Sequence, residues 1–223
     1  MLKAQADIIS AAIIVIIALS LASAGYFWGM PLIHKKQDVA TIERVFSYFN
    51  PNNVNSLPKT IEYIANVGGE KTFHADVDGI WILNDSETIN NVNYSSITFI
   101  FASKASNVAP NTEYPISLTS GVQCINGTSP PNGTIGLDSS SVVCTQAFRT
   151  DNMFNITYKV WFRDLYKDPF AASPQGVRIK LVKDPLGVLS STGKSIRISL
   201  LSTKTEEVGS KTLITKEIKI LLI

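Results

Sequence analysis

Five asparagines in this sequence lie in the pattern Asn-x-Ser or Asn-x-Thr with a residue other than proline in the middle. They are Asn84, Asn93, Asn126, Asn132 and Asn155. The pattern is the acceptor for N-linked sugar, and an acceptor must lie on an exposed surface to be modified. No asparagine follows Asn155. This clustering predicts one sugar-coated side of the protein and one side left for packing, although asparagine-rich turns would cluster in the same way.

Cys124 and Cys144 are the two cysteines of the chain and lie 20 positions apart, on either side of a turn-rich stretch. In an oxidising compartment they would form a disulfide, and closing a loop of this size stabilises the fold by about 3 kcal/mol in the chain-entropy model. A zinc site would need further cysteine or histidine ligands near them. The spacing therefore predicts a disulfide between Cys124 and Cys144, and no metal site.

A third group with chemical potential is His74 with Asp76 and Asp78. The acids stand in the segment Asp-Val-Asp-Gly, which resembles part of a calcium loop but lacks the late glutamate that completes the ligand set. The sequence contains no nucleophile elbow, zinc-protease or phosphate-loop motif. We expect His74 to be a surface residue, and we predict that the protein is not an enzyme and has no cofactor.

The elements that carry these residues differ sharply in composition. The chain has 223 residues, 20 Lys+Arg and 18 Asp+Glu. The resulting formal charge of +2 is too small to form a basic nucleic-acid-binding surface, so we expect no nucleic-acid partner. Residues 1–33 contain only two charged side chains, Lys3 and Asp7. The rest of the chain has the composition of a soluble domain.

The segment 8–33 is 26 residues long and carries no charge. As a helix it would extend about 39 Å, which exceeds the bilayer hydrocarbon thickness of about 30 Å. A signal peptide is the alternative, with small residues 22–24 as its cleavage site. A signal peptide has an apolar core of only about 7–15 residues, whereas this run continues through Tyr26, Phe27 and Trp28. The segment predicts a membrane-spanning helix.

Beyond this run, the apolar residues Val39, Ile42, Phe46 and Phe49 recur at helical spacing, and Asn50-Pro51 ends the pattern. We therefore predict one helix over residues 5–49. It is apolar on all sides in its first half and amphipathic in its second half. A kink is expected near Gly29 and Pro31.

An apolar N-terminal helix that becomes amphipathic and leads into a β-rich domain resembles the type IV pilin superfamily, and in particular archaeal type IV pilins and archaellins. In that family a prepilin peptidase removes a short basic leader. The resemblance implies cleavage between Ala4 and Gln5, with Lys3 as the basic residue. The acid found in many bacterial pilins at the fifth mature position is here Ile9, with Asp7 at the third, and archaeal members often lack that acid.

The resemblance also implies a helical homopolymer with these helices in its core. Small residues four positions apart, as in Ala18 and Ala22 or Gly25 and Gly29, let helices approach closely. The residues expected to pack in the filament core are Ile9, Ile13, Ile16, Ile17, Ala18, Leu21, Ala22, Gly25 and Gly29.

After Gly68-Gly69 the sequence alternates short β-branched runs with turn residues, and residues 57–67 form a candidate connecting helix. The predicted strands are residues 72–83, 92–104, 114–125, 141–149, 154–164, 177–183, 195–203 and 212–223. Eight strands without a long intervening helix are typical of an immunoglobulin-like sandwich. We expect an α+β protein with a helix over 1–50, a connector over 51–71 and an all-β sandwich over 72–223.

These features favour a structural subunit of an extracellular, glycosylated, pilus-like filament, with adhesion as its use by family resemblance. The expected partners are copies of itself, the prepilin peptidase, the pilus assembly machinery, and the cytoplasmic membrane before assembly. Two alternatives remain. One is a membrane-anchored surface or motility-filament accessory protein that binds an S-layer or cell-wall partner. The other is an anchored enzyme or solute-binding protein, for which the sequence offers no clear set of convergent polar groups.

Overall fold

The computed structural model describes residues 2–89, 92–124 and 132–223, with side chains described from residue 12 onward in these ranges except for residues 88–93. The chain divides into two compact units, Met1–Ala40 and Thr41–Ile223. The first unit is helical, and the second contains all the strands. A long apolar helix followed by a β-rich region is thus confirmed.

Helix α1 runs over Leu2–Phe49 and continues through Pro31. It therefore begins three residues before its predicted start and ends at the predicted residue. Asn50 closes the helix, since its N–H donates to the Phe46 carbonyl at 2.9 Å and Pro51 follows.

Helix α2 covers Leu57–Val67, as predicted. Ser56 caps its N-terminus, where the serine Oγ accepts the Lys59 N–H at 3.4 Å, and Pro58 occupies the first turn. Gly68 ends the helix at φ 86°, a left-handed conformation that favours glycine. The helix buries one face, formed by Leu57, Pro58, Thr60, Ile61, Ile64 and Ala65.

The described residues contain twelve strands. They are β1 Glu70–His74, β2 Ile80–Ile89, β3 Val92–Ser103, β4 Ile116–Ser117, β5 Gly133–Thr134, β6 Ser141–Thr150, β7 Met153–Phe162, β8 Leu165–Tyr166, β9 Gln175–Lys183, β10 Ser190–Ser191, β11 Ser195–Val208 and β12 Lys211–Leu222.

The strands form two six-stranded sheets. The first sheet has the order β1-β11-β12-β9-β8-β5 and the second has the order β10-β2-β3-β7-β6-β4. Most neighbouring strands are antiparallel. The pairs β9–β12 and β5–β8 are parallel. One hydrophobic core contains side chains of both sheets. The two sheets are confirmed, and the finer immunoglobulin-like arrangement stays a prediction.

Two predicted strands are wrong, and a third, 195–203, is five residues shorter than β11. Residues 72–83 form not one strand but the end of β1 and the start of β2, which belong to different sheets. The chain crosses between the sheets at residues 75–79. Of the predicted strand 114–125, the described residues 114–124 contain only the two-residue strand β4, because the Ser117 side chain bonds locally to Thr119 and turns the chain away.

The end of α1 is part of the β core. Trp81, Phe99, Tyr158 and Thr145 stand opposite one another on β2, β3, β7 and β6 and form one row across the second sheet. The Phe49 ring packs on this row, with its centroid 4.9 Å from Tyr158 and 5.8 Å from Trp81. Phe49 is completely buried, as is Val45 one turn earlier.

Glu62 joins α2 to the start of β6. Its carboxylate accepts hydrogen bonds from Lys59 Nζ at 2.7 Å, Ser139 Oγ at 3.1 Å, Ser140 Oγ at 2.8 Å and the Ser141 N–H at 2.9 Å. Burial alone would raise the pKa of Glu62, but the hydrogen bonds from Lys59, Ser140 and Ser141 and the Lys59 charge outweigh it, so the pKa is lowered.

Substituting Phe49→Ala should lower the free energy of unfolding by about 3–5 kcal/mol, because it empties the space against the aromatic row. Urea unfolding of the detergent-solubilised chain, followed by near-ultraviolet circular dichroism, measures the change. Tyr63→Ala is the matched control, since this aromatic side chain on α2 is exposed. Equal effects of the two substitutions would contradict the packing of Phe49.

Substituting Glu62→Gln should destabilise the protein at neutral pH by about 1–3 kcal/mol, because three or more hydrogen bonds to a charged carboxylate are weakened. The folded-state pKa lies below the ordinary value of 4.5, so the carboxylate stabilises the fold above that pH. That stabilisation is lost as the pH falls through the folded-state pKa. The stability difference between wild type and variant should shrink between neutral pH and acid. Glu113→Gln removes the same charge from an exposed side chain, so it is the matched control and should change the stability little.

Candidate assembly interface

The side chains of residues 12–28 are all exposed within the chain. They include the predicted packing residues Ile13, Ile16, Ile17, Ala18, Leu21, Ala22 and Gly25. Gly29, also a predicted packing residue, follows this range and is partly exposed. The predicted packing residue Ile9 lies in the helix, but its side chain is outside the described set. By length and composition the helix is able to cross a membrane, which is weak evidence of membrane association or of a signal sequence.

One side of this helix consists of small residues. Ala18, Ala22, Gly25 and Gly29 follow one another at intervals of four, three and four, which places them on one face. A β-carbon built on Gly25 or Gly29 would meet nothing within 4 Å. This face is therefore open in a single copy, and another helix backbone can approach it closely.

One polar side chain of the apolar segment is satisfied within its own helix. The Ser20 hydroxyl donates to the Ile16 carbonyl at 2.8 Å, so it needs no water. Tyr26, Phe27 and Trp28 are consecutive and exposed, and Trp28 has 83% of its surface accessible. Tyr26 and Phe27 contact each other edge to face, with centroids 6.1 Å apart. Aromatic side chains of this kind are typical of a membrane interface or of a packed assembly.

The predicted leader cleavage site lies between Ala4 and Gln5. The backbone there is helical, and the side chains are outside the described set.

The sugar acceptors fall in different parts of the second unit. Asn84 on β2, Asn132 before β5 and Asn155 on β7 are exposed. Asn93 lies on β3, but its side chain is outside the described set, and Asn126 lies outside the described residues. Asn84 and Asn155 stand on the face of the second sheet that is turned away from the core, because their strand neighbours Leu83 and Ile156 are buried in it.

The predicted disulfide between Cys124 and Cys144 is present. It joins the segment after β4 to β6 and packs with Val122, Val142 and Trp161 in a small second core on the outer face of the second sheet. Thr119 supports the same segment, because its Oγ1 accepts the Val143 N–H at 2.9 Å. The disulfide therefore holds residues 118–124, which contain no helix or strand, against β6.

His74, Asp76 and Asp78 do not converge on one point. His74 Nε2 lies 3.1 Å from Asp76 Oδ1, and Asp78 pairs with Lys194 at 2.8 Å. In the described ranges no group of three or more His, Cys, Asp and Glu side chains is placed to hold a metal ion. The arrangement supports surface ion pairs.

Sequence reasoning missed two kinds of residue. Glu62 joins α2 to β6, but the serines that it contacts are 77 to 79 positions away, and no local pattern announces them. Phe170 and Leu186 are almost completely exposed, each in a turn that begins with Lys-Asp-Pro. The repeated Lys-Asp-Pro tripeptide predicts both turns. It does not predict that the apolar side chain after each tripeptide is exposed.

No protein-family model, no curated protein and no solved structure matches this chain.

Proposed function

We propose that this chain is the structural subunit of an extracellular filament of the archaeal type IV pilus kind. In this proposal the N-terminal helices pack together as the filament core, and the β-rich units, arranged as immunoglobulin-like sandwiches, form the outer surface. One observation carries the proposal. Residues 12–28 expose their side chains all around the helix, so no part of their own chain covers them.

A helix that is apolar on every side must lie in lipid or among other helices. Lipid already satisfies its hydrophobicity, so leaving the membrane for a bundle requires a gain from close packing. The small-residue face of Ala18, Ala22, Gly25 and Gly29 supplies a surface on which that gain is possible. Repeated contacts of the same kind between successive copies produce a fibre when they do not close into a ring.

By the family resemblance, the chain waits in the cytoplasmic membrane, a prepilin peptidase cuts between Ala4 and Gln5, and the pilus machinery assembles the product outside the cell. The use is adhesion. The proposal includes no catalytic activity, no cofactor and no nucleic-acid partner. The disulfide agrees with an oxidising compartment outside the cytoplasm.

Glycans on the β-rich units form part of the proposal. Asn84 and Asn132 are exposed acceptors, and sugar attached to them would be directed into solvent.

The alternative is an anchored accessory protein, which is favoured by one observation, the length of the apolar helix. An anchored protein needs the helix in lipid but needs no close approach between copies. Filaments in sheared cell-surface material favour the first function, and retention in the membrane fraction favours the second.

Substituting both Gly25→Leu and Gly29→Leu should separate the two functions. Leucine fits at both positions within one copy and increases the apolar surface, so membrane insertion should be retained. Close helix packing should fail, and filament yield should fall by at least about tenfold, which corresponds to a loss of about 1.4 kcal/mol. Electron microscopy of sheared material and blotting of the membrane fraction measure the two outcomes.

Leu19→Ile is the matched control for that experiment, because it exchanges one exposed apolar side chain for another, one residue after Ala18 and so about 100° around the helix from it. Its filament yield should equal that of the wild type. Normal filaments in the double-leucine variant would contradict packing through this face. The absence of filaments from wild-type material would contradict the function itself.

Substituting Asn84→Gln or Asn132→Gln should each lower the mass of the mature chain by one glycan, as measured by mass spectrometry of the intact chain and its peptides. Ser86→Ala removes the hydroxyl that the acceptor pattern requires and should have the same effect as Asn84→Gln. The exposed Asn66 lies outside any acceptor pattern, so Asn66→Gln should shift the mass only by the residue exchange. An unglycosylated wild-type chain would contradict this part of the proposal.

A further inference from the structure

Two turns of the second unit share a sequence pattern and a geometry. The segments are Lys-Asp-Pro-Phe, ending at Phe170, and Lys-Asp-Pro-Leu, ending at Leu186. In each turn the aspartate Oδ1 accepts the N–H of the apolar residue, from Phe170 to Asp168 at 3.0 Å and from Leu186 to Asp184 at 2.9 Å. The proline fixes φ between them. Each turn therefore holds one large apolar side chain in a defined position.

Phe170 and Leu186 are the most exposed large apolar side chains in the described part of the chain, at 95% and 92%. A side chain held by a rigid turn loses little conformational freedom when it binds, so more of its burial energy contributes to affinity. Aromatic anchors of this kind often dominate protein interfaces. Phe170 is thus the stronger candidate for a contact.

The two turns lie at opposite ends of the first sheet. The Phe170 turn precedes β9, and the Leu186 turn follows it. Nine residues of β9 separate them, which corresponds to about 30 Å. The end that carries Phe170 also carries the β11–β12 turn, since the start of β12 pairs in parallel with the start of β9.

An open groove lies at the other end, on the outer face of the second sheet. Its volume is about 540 Å³, and it is lined by Asp78, Gly79, Ile80, Ile100, Phe101, Ala102, Asn155 and Thr192. Thr192 lies three residues before the start of β11, and β11 begins beside the end of β12. The groove therefore lies at the end of the second unit opposite to Phe170, and its floor is largely apolar.

The charges around the groove complement those beside Phe170. On the rim of the groove, Asp78 pairs with Lys194 at 2.8 Å, and the Asp78 side chain is 90% exposed. Beside Phe170, Lys167 and Asp168 are exposed, and Lys167 makes no ion pair with any residue for which the structure gives a side chain. When these two pairs face each other, each lysine can lie opposite an aspartate of the other pair, so that opposite charges meet.

We propose that Phe170 of one copy inserts into this groove of the next copy, with Lys167 facing Asp78 and Asp168 facing Lys194. The knob and the groove are different surfaces at opposite ends, so the contact is head to tail and continues from copy to copy. The inference deepens the proposed function and rests on it, because the filament brings the copies into line. It also requires Asn155, on the groove wall, to carry no sugar in the assembled protein.

A disulfide cross-link tests the contact in the full-length chain. Ala171→Cys places a thiol beside Phe170 and Ala102→Cys places one in the groove; both alanines are exposed, and the two native cysteines are already bonded to each other. Mild oxidation of sheared filaments of the double-cysteine variant should give a ladder of multimers on a non-reducing gel. Each single-cysteine variant should give dimers at most.

Adding Phe170→Ser to the double-cysteine variant should reduce the multimer fraction by at least about tenfold, as loss of an aromatic anchor does at other interfaces. Leu186→Ser is the matched control, because it removes an equally exposed side chain from the equivalent turn at the other end. It should leave the ladder unchanged. Both substituted positions are solvent-exposed, so neither variant should fail to fold.

The same oxidation applied to the concentrated chain in detergent separates this inference from the filament. Normal filaments without a ladder would overturn the Phe170 contact and leave the proposed function standing. A ladder in detergent from a chain that forms no filaments would support the contact and contradict the filament. Absence of both, or peptide mapping that finds sugar on Asn155 in most assembled copies, would overturn the contact.

Discussion

An α-helix that is apolar on every side cannot be covered by the single chain that carries it. In this protein the constraint applies to residues 12–28, whose side chains are all exposed within the chain. Two environments satisfy it, a lipid bilayer and a bundle of similar helices. The small-residue face of Ala18, Ala22, Gly25 and Gly29 favours the bundle, because a helix that only spans a membrane does not need such a face. Such a face is useful when another backbone approaches.

The end of the same helix meets a different requirement. Ile42, Val45 and Phe49 recur at intervals of three and four residues and are buried in the β core, where Phe49 stacks on Tyr158. These residues count among the core of the second unit, which begins at Thr41. Changes between residues 12 and 40 therefore leave that core intact. The proposed packing between helices and the folding of the β-rich unit therefore depend on separate sets of side chains.

The sequence was a reliable guide wherever the signal was local. The ends of α2 follow from a serine cap, a proline in the first turn and a glycine at the last position, all within a dozen residues. It failed where distant partners decide the outcome. The split of residues 72–83 into β1 and β2 depends on which sheet each half joins, and the parallel pairing of β9 with β12 has no local mark. The helical spacing predicted that Phe49 lies on an apolar face of the helix. It did not predict that this face would pack on Tyr158, more than 100 residues away.

An assembly built from apolar helices needs more than hydrophobicity, because a helix in lipid is already solvated. If the proposed filament forms, the free energy that favours it must come from contacts that a single copy in the membrane lacks. In the proposed filament, packing on the small-residue face is one such contact, and the proposed insertion of Phe170 into the neighbouring groove is a second, formed in water, where burying an aromatic ring is favourable. Two weak contacts between the same pair of copies reinforce each other, since formation of one raises the effective concentration for the other. In the proposed assembly, neither contact then has to be strong alone.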